Sequence, residues 1–138
     1  MKTIKIGDKA SFTKKISSDD IFIFADVSGD DNPVHIDKEY AERSKFGERI
    51  AHGYHVGSFI SAVIGKSLPG KGSIYLSQSM QFKEPVMIND EITATVEVTS
   101  FPKDKHVMLK TTCTNQHGAV VINGEALVIP PPNIVLIK

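Results

Sequence analysis

Tyr54-His55-Val56-Gly57-Ser58-Phe59-Ile60-Ser61-Ala62-Val63-Ile64 runs without an Asp, Glu, Lys or Arg, and only protonation of His55 could bring a charge to it. Its apolar residues recur at helical spacing and are interleaved with small ones. Such a helix is apolar nearly all round and must be buried. Gly57, Ser58, Ser61 and Ala62 let neighbouring backbone come close. Ahead of it, Ile50-Ala51-His52-Gly53 offers a permissive start, and behind it Leu68-Pro69-Gly70-Lys71-Gly72 breaks the chain.

Beyond that break the sequence alternates as strands do. Ile74, Leu76, Met80 and Phe82 fall on one face, with Gln78 interrupting. Ile92, Ala94, Val96 and Val98 alternate with Glu91, Thr93, Thr95 and Glu97, the clearest half-buried strand in the chain. Val107, Leu109, Thr111 and Cys113 predict another and Val120 to Ile129 a further one, separated by the turn Asn115-Gln116-His117-Gly118.

Upstream the period is helical. Ser17 and Ser18 followed by Asp19 and Asp20 start a helix, with acids where the helix dipole favours them. Ile21, Phe24, Ala25 and Ser28 share one face, and Gly29 ends the helix. Asp30-Asp31-Asn32-Pro33 is turn chemistry, because Asp and Asn bond nearby backbone and a residue before proline avoids helical angles. A short helix is expected from Asp37 to about Arg43. The first half therefore reads as helical and loop-rich and the second as strands. The expected fold is α+β, one domain over residues 1–138 in which an antiparallel sheet wraps a long central helix. So small a sheet leaves an open edge, which predicts a dimer made by joining two sheets. The apolar tail Ile134, Val135, Leu136 and Ile137, after Pro130-Pro131-Pro132, is expected to dock on the subunit or its partner.

The 138 residues contain 16 Lys plus Arg against 16 Asp plus Glu, so no net basic field attracts a polyphosphate backbone and nucleic acid is not an expected partner. Cys113 is the only cysteine, which excludes an internal disulfide and a multi-cysteine zinc site and fits a reducing compartment. Met1 to Asp8 has no signal-peptide character, and no apolar stretch nears the roughly 18 residues of a transmembrane helix. A cytoplasmic protein without membrane partners is expected.

Two polar constellations could carry chemistry. Asp30, Asp31, Asn32 and His35 gather around a proline turn, where the plain alternative is backbone capping. Gly53 opens the apolar helix, either as a permissive start or as a backbone N–H that receives an oxyanion at the positive end of the helix dipole. Together they supply a carboxylate–imidazole pair and an amide donor. Water addition to a conjugated thioester requires that combination: the carbonyl is polarised, water is deprotonated at C3, and a proton reaches C2. No metal or organic cofactor is required. His52, His55, His106 and His117 lack the paired spacing of a zinc site and read as surface groups or neighbours of the site, His52 being the one that matters most. Cys113, inside an alternating strand, reads as a small core residue.

The run Ser28-Gly29-Asp30-Asp31-Asn32-Pro33-Val34-His35 resembles the hydratase signature of MaoC-like hot-dog proteins. Ile50-Ala51-His52-Gly53 and the helix after it are similar to the central hot-dog helix. The stretches from Leu68 to Leu76 and Phe82-Lys83-Glu84-Pro85-Val86 look like the short-chain (R)-specific enoyl-CoA hydratases, so that the resemblance covers about Ile16 to Val128. It implies a dimer of hot dogs that hydrates trans-2-enoyl-CoA to (R)-3-hydroxyacyl-CoA, reversibly, with an acyl-CoA substrate and no cofactor. It implies that Asp30 and His35 activate water, Gly53 holds the thioester oxygen, and Asn32 belongs to the substrate site. Ser61 would lie near the Asp30 carboxylate, and Ile64 would limit chain length. Asp31 has no role in that pattern. Tyr54 and His55 stand where aliphatic residues suit a relative, which leaves the acyl preference open. The competing readings are a hot-dog acyl-CoA thioesterase, against which the carboxylate-free helix counts, a dehydratase of acyl carrier protein thioesters, and a non-enzymatic acyl-thioester-binding module. Lys66, Lys71, Lys83 and Lys103 could meet CoA phosphates, and none is assigned.

Overall fold

The computed structural model describes residues 2–138. In chain order the elements are β1 (Lys2–Lys5), β2 (Lys9–Lys15), α1 (Ser18–Ser28), α2 (Pro33–Ile36), α3 (Lys38–Glu42) and α4 (Gly53–Lys66), then β3 (Ile74–Gln78), β4 (Gln81–Phe82), β5 (Glu91–Ser100), β6 (Val107–Thr114), β7 (Val120–Ile129) and β8 (Ile134–Ile137). The main sheet is ordered β2-β5-β6-β7-β3, with β4 also on β7, and each of these pairs is antiparallel. Helix α4 packs on this sheet in the hot-dog arrangement. Its residues Val56, Phe59, Ile60, Val63 and Ile64 share one core with Ile92, Ala94, Val96 and Val98 of β5 and Val107, Leu109 and Cys113 of β6. Burying a side chain such as Ile60 completely stabilises the fold by about 1.5–3 kcal/mol. No helix among the described residues is long and apolar enough to cross a membrane.

The helical half is built as its sequence dictates. Ser17 caps α1 by accepting from the Asp20 amide, and Gly29 closes it in the left-handed conformation at φ 81°. Ile21 and Ala25 are buried, whereas Ser28 turns outward and accepts from the Asp30 amide. Asp37 caps α3.

The first half is nevertheless not only helix and loop. β1 and β2 precede α1, and β2 holds the edge beside β5. Only Ala10 and Phe12 of β2 turn inward, so two partly buried side chains are its whole apolar signal. The strand is held instead by its backbone ladder and by hydroxyl pairs across it, Ser11 with Thr95 at 3.1 Å and Thr13 with Thr93 at 2.8 Å. The proline turn also continues into the one-turn helix α2, with Pro33 in its first turn and Asn32 as its cap. The apolar tail docks on its own chain, where β8 lies parallel to β1.

The one-face reading of Ile74, Leu76, Met80 and Phe82 does not hold, for Ile74, Leu76 and Phe82 are exposed. A bulge between Tyr75 and Ser77 reverses the side-chain parity. Tyr75 and Gln78 then face the same way as their partners Val128 and Ala126, which are buried. The Gln78 amide donates to the hydroxyl of the buried Thr111 at 2.8 Å, and the Tyr75 hydroxyl donates to its carbonyl oxygen. Thr111 pairs across the sheet with Gly124, and the missing side chain there admits the Ser79 backbone.

Candidate active site

Three segments converge on one cavity of about 510 Å3: the α1–α2 turn, the chain entering α4, and the chain after β4. Hydrogen bonds to backbone carbonyls fix them to one another. The Ile50 amide donates to the Val34 carbonyl at 3.3 Å, the Ala51 amide to the Val86 carbonyl at 2.8 Å, and the Arg49 Nε to the His35 carbonyl at 2.6 Å. Asn32 is exposed and holds the turn, its side chain accepting from the Val34 amide at 3.3 Å.

Asp30 and His35 both line the cavity. The Asp30 Oδ1 accepts from the Asn32 amide at 3.2 Å, which aims the carboxylate back over its own turn. His35 is buried, and its Nδ1 lies 2.8 Å from the Ile50 carbonyl. A carbonyl only accepts, so Nδ1 carries the hydrogen and neutral His35 keeps its lone pair on Nε2. Burial pushes the His35 imidazole below the ordinary histidine value of 6.5; the Ile50 bond raises it, the neighbouring His52 lowers it and the Asp30 charge raises it.

His52 completes the cluster. Its ring stacks on His35 with centroids 3.9 Å apart and planes 25° apart, and side-chain ligand atoms of Asp30, His35 and His52 all lie within 4.8 Å of one another. These are metal-ligand residue types, but stacked imidazoles do not converge on one ion. A metal must lie near both ring planes at about 2 Å from each nitrogen, and planes so nearly parallel meet only much farther out.

Gly53 begins α4 and lines the cavity. His52 caps the helix without a side-chain bond, and the first intrahelical bond runs from the Val56 amide to the His52 carbonyl. The amides of Gly53 and its two successors therefore precede the ladder, with the helix dipole behind them. A β-carbon on Gly53 would stand 2.5 Å from the Phe82 ring, so only glycine lets this ring lie against the helix start. Phe82 and Tyr54, edge to face at 6.0 Å, make an aromatic rim, and Lys45, Lys83 and Glu84 add charge to it.

Ser61 and Ile64 are not brought to this cavity. Ser61 lies two turns along α4 on an exposed face, and Ile64 is part of the buried core. Of the four lysines considered for phosphates only Lys83 lines the cavity, while Lys66 sits over the Phe12 ring. His52 and His55 are buried rather than on the surface. Cys113 is buried, its thiol pushed up to about 12 by burial, which fits a packing role and not a nucleophile. Lys45 and Phe46 on the cavity wall carried no periodic or motif signal.

Residues 2–120 match the MaoC like domain family. The chain belongs to that family. It is 52% identical over 129 residues to an (R)-specific enoyl-CoA hydratase of Rhodospirillum rubrum, covering 93% of this chain and 89% of the relative. It is 42% identical to a 3-hydroxybutyryl-CoA dehydratase of Methylorubrum extorquens, over 93% of this chain and 82% of that one. Among solved structures, an (R)-hydratase from A. caviae involved in PHA biosynthesis superposes with a TM-score of 0.90 at 43% identity, covering 93% of this chain and 98% of that one. This MaoC-like chain thus shares sequence and fold with hydratases and dehydratases over nearly its full described length.

Proposed function

We propose that this protein is an (R)-specific enoyl-CoA hydratase, a hydro-lyase that interconverts trans-2-enoyl-CoA and (R)-3-hydroxyacyl-CoA. One observation carries the mechanism: the Asp30 and His35 side chains reach within 4.8 Å of each other beside the unpartnered amides that open α4. Two polar atoms at that separation can both bond a single water, since each bond needs only about 2.8 Å. The thioester oxygen accepts from the Gly53 amide, which draws electron density toward the carbonyl. The Asp30–His35 pair takes a proton from the water as its oxygen bonds C3, the C2–C3 π pair moves into the enolate, and the proton is then delivered to C2. No cofactor is needed, because the amide supplies the electrophile and the pair moves the proton. Lys83 and Lys45 at the rim suit the phosphates of the carrier, and a short acyl chain is in keeping with the likeness to a 3-hydroxybutyryl-CoA dehydratase.

Crotonyl-CoA tests this directly. Loss of the conjugated absorbance without release of thiol is expected, with turnover falling as the acyl chain lengthens. Thiol release would instead indicate a thioesterase using Glu84, the other carboxylate on the cavity wall. Turnover of acyl carrier protein thioesters alone would move the reaction to that carrier, and binding without turnover would leave only an acyl-thioester-binding module. The base must be neutral, and burial lowers the His35 value, so the acid limb of kcat/KM is expected below pH 6.5.

The working unit is a homodimer. β3 lies at a sheet edge with Ile74 and Leu76 exposed, which suits pairing with a second copy. Sedimentation equilibrium at twice the chain mass is expected, and a monomer at micromolar concentration would contradict it. The buried free thiol of Cys113 is in keeping with a cytoplasmic location.

A further inference from the structure

His52 has no part in the chemistry above, yet it is the most buried of the site's polar side chains, 2% exposed. Its Nε2 lies 2.8 Å from the backbone carbonyl of Asp30, an acceptor, so Nε2 carries the hydrogen and donates it. One face of the ring lies on His35 and the Phe24 ring packs at 4.9 Å, in a series that continues from Phe24 to His55 at 5.0 Å. Its Nδ1 is buried without a partner. A buried orphan nitrogen costs free energy, so it calls for a reason. The same imidazole touches both members of the pair, one through its backbone and the other through its ring.

We infer that His52 is a positioning residue that holds Asp30 and His35 in register and keeps His35 in its neutral, proton-accepting form. This inference rests on the reading of Asp30 and His35 as the catalytic pair. The mechanical half is the bond to the Asp30 carbonyl, which fixes the turn that carries the carboxylate. The electrostatic half is the stack: His52 lies against the His35 ring with centroids 3.9 Å apart and disfavours a proton there. The charged and titratable groups around His35 are Asp30 on its turn, His52 at the start of α4, Arg49 on its carbonyl, and Lys45, Lys83 and Glu84 across the cavity. His52 alone among them lies flat on the ring.

The test uses His52→Phe, which keeps a ring without the donor, and His52→Gln, which keeps an Nε–H without the ring. Each variant that retains the wild-type near-ultraviolet circular dichroism is expected to lose about tenfold or more in kcat on crotonyl-CoA, with little change in KM. The acid limb of kcat/KM is expected to move to higher pH in both, because the neighbour that disfavours a proton on His35 is gone. A merely structural residue would lower activity and leave that limb in place. Wild-type kcat, or an unmoved limb, overturns the inference. Asp30→Asn and His35→Gln are measured beside them: if these also stay active the catalytic reading falls too, whereas if only these two lose activity that reading stands and the role of His52 does not. In the unmodified protein, 15N NMR titration reads the same coupling without substitution. A His35 titration displaced below the ordinary histidine value is expected, and one at or above that value overturns the inference.

Discussion

Asp30→Asn and His35→Gln are each expected to lower kcat for crotonyl-CoA hydration by about a hundredfold or more. The two changes act at different points. Asparagine at position 30 keeps an oxygen for the Asn32 amide, so the turn survives and only the charge is lost. Glutamine at position 35 removes the ring whose Nδ1–H meets Ile50, together with its stack on His52, and with them the free Nε2 lone pair. Acting on one water, the two losses should not add: the double variant is expected to fall little below the weaker single. Stopped-flow or steady-state absorbance on folded protein checks this, and near-normal activity in either single variant would remove that residue from the chemistry.

The largest expected effect on stability lies outside the site. At Gly124 a β-carbon would overlap the Ser79 carbonyl oxygen and crowd its carbon at 2.6 Å, and both are backbone atoms that no rotamer change can move aside. Gly124→Ala is therefore expected to cost on the order of 2–4 kcal/mol, read as a lowered urea midpoint. The shift passes to the site. Ser79 is bonded to Glu125 through its amide and its hydroxyl, and β4 follows directly, placing Met80 over Gly57 and Phe82 over Gly53. A raised KM should accompany the lost stability. Unchanged stability would mean that the chain at Ser79 is freer to move than its bonds imply.

Much of this molecule is legible in the sequence where one physical demand dominates. The charge-free stretch from Tyr54 to Ile64 has nowhere to go but inside, and the alternations in β5 and β6 each specify one buried face without conflict. The turn from Asp30 to His35 is readable because capping and proline geometry are local. Where demands compete the reading fails. β2 offers only Ala10 and Phe12 to the core, and the rest of its stability comes from partners eighty residues away, which no local pattern records. In β3 the bulge changes parity midway, so a regular alternation assigns the wrong residues inward, and the interrupting Gln78 was the one sign of it. Within the site, the pair and Gly53 are close in sequence to the elements that place them. Ser61 and Ile64 depend instead on which way a buried helix faces, and a helix apolar all round does not say. His52 could have been singled out from its place beside Gly53, but its bond to the Asp30 carbonyl and its stack on His35 are facts of the tertiary structure.

The most direct measurement of the central claim is stereochemical. A single water bonded by both Asp30 and His35 must deliver hydroxyl to C3 and a proton to C2 from the same side of the double bond. Hydration of crotonyl-CoA in D2O, with the product resolved by NMR, should give the (R)-3-hydroxyl with deuterium added syn at C2. Anti addition, or a mixture of the two C2 epimers at early times, would contradict it.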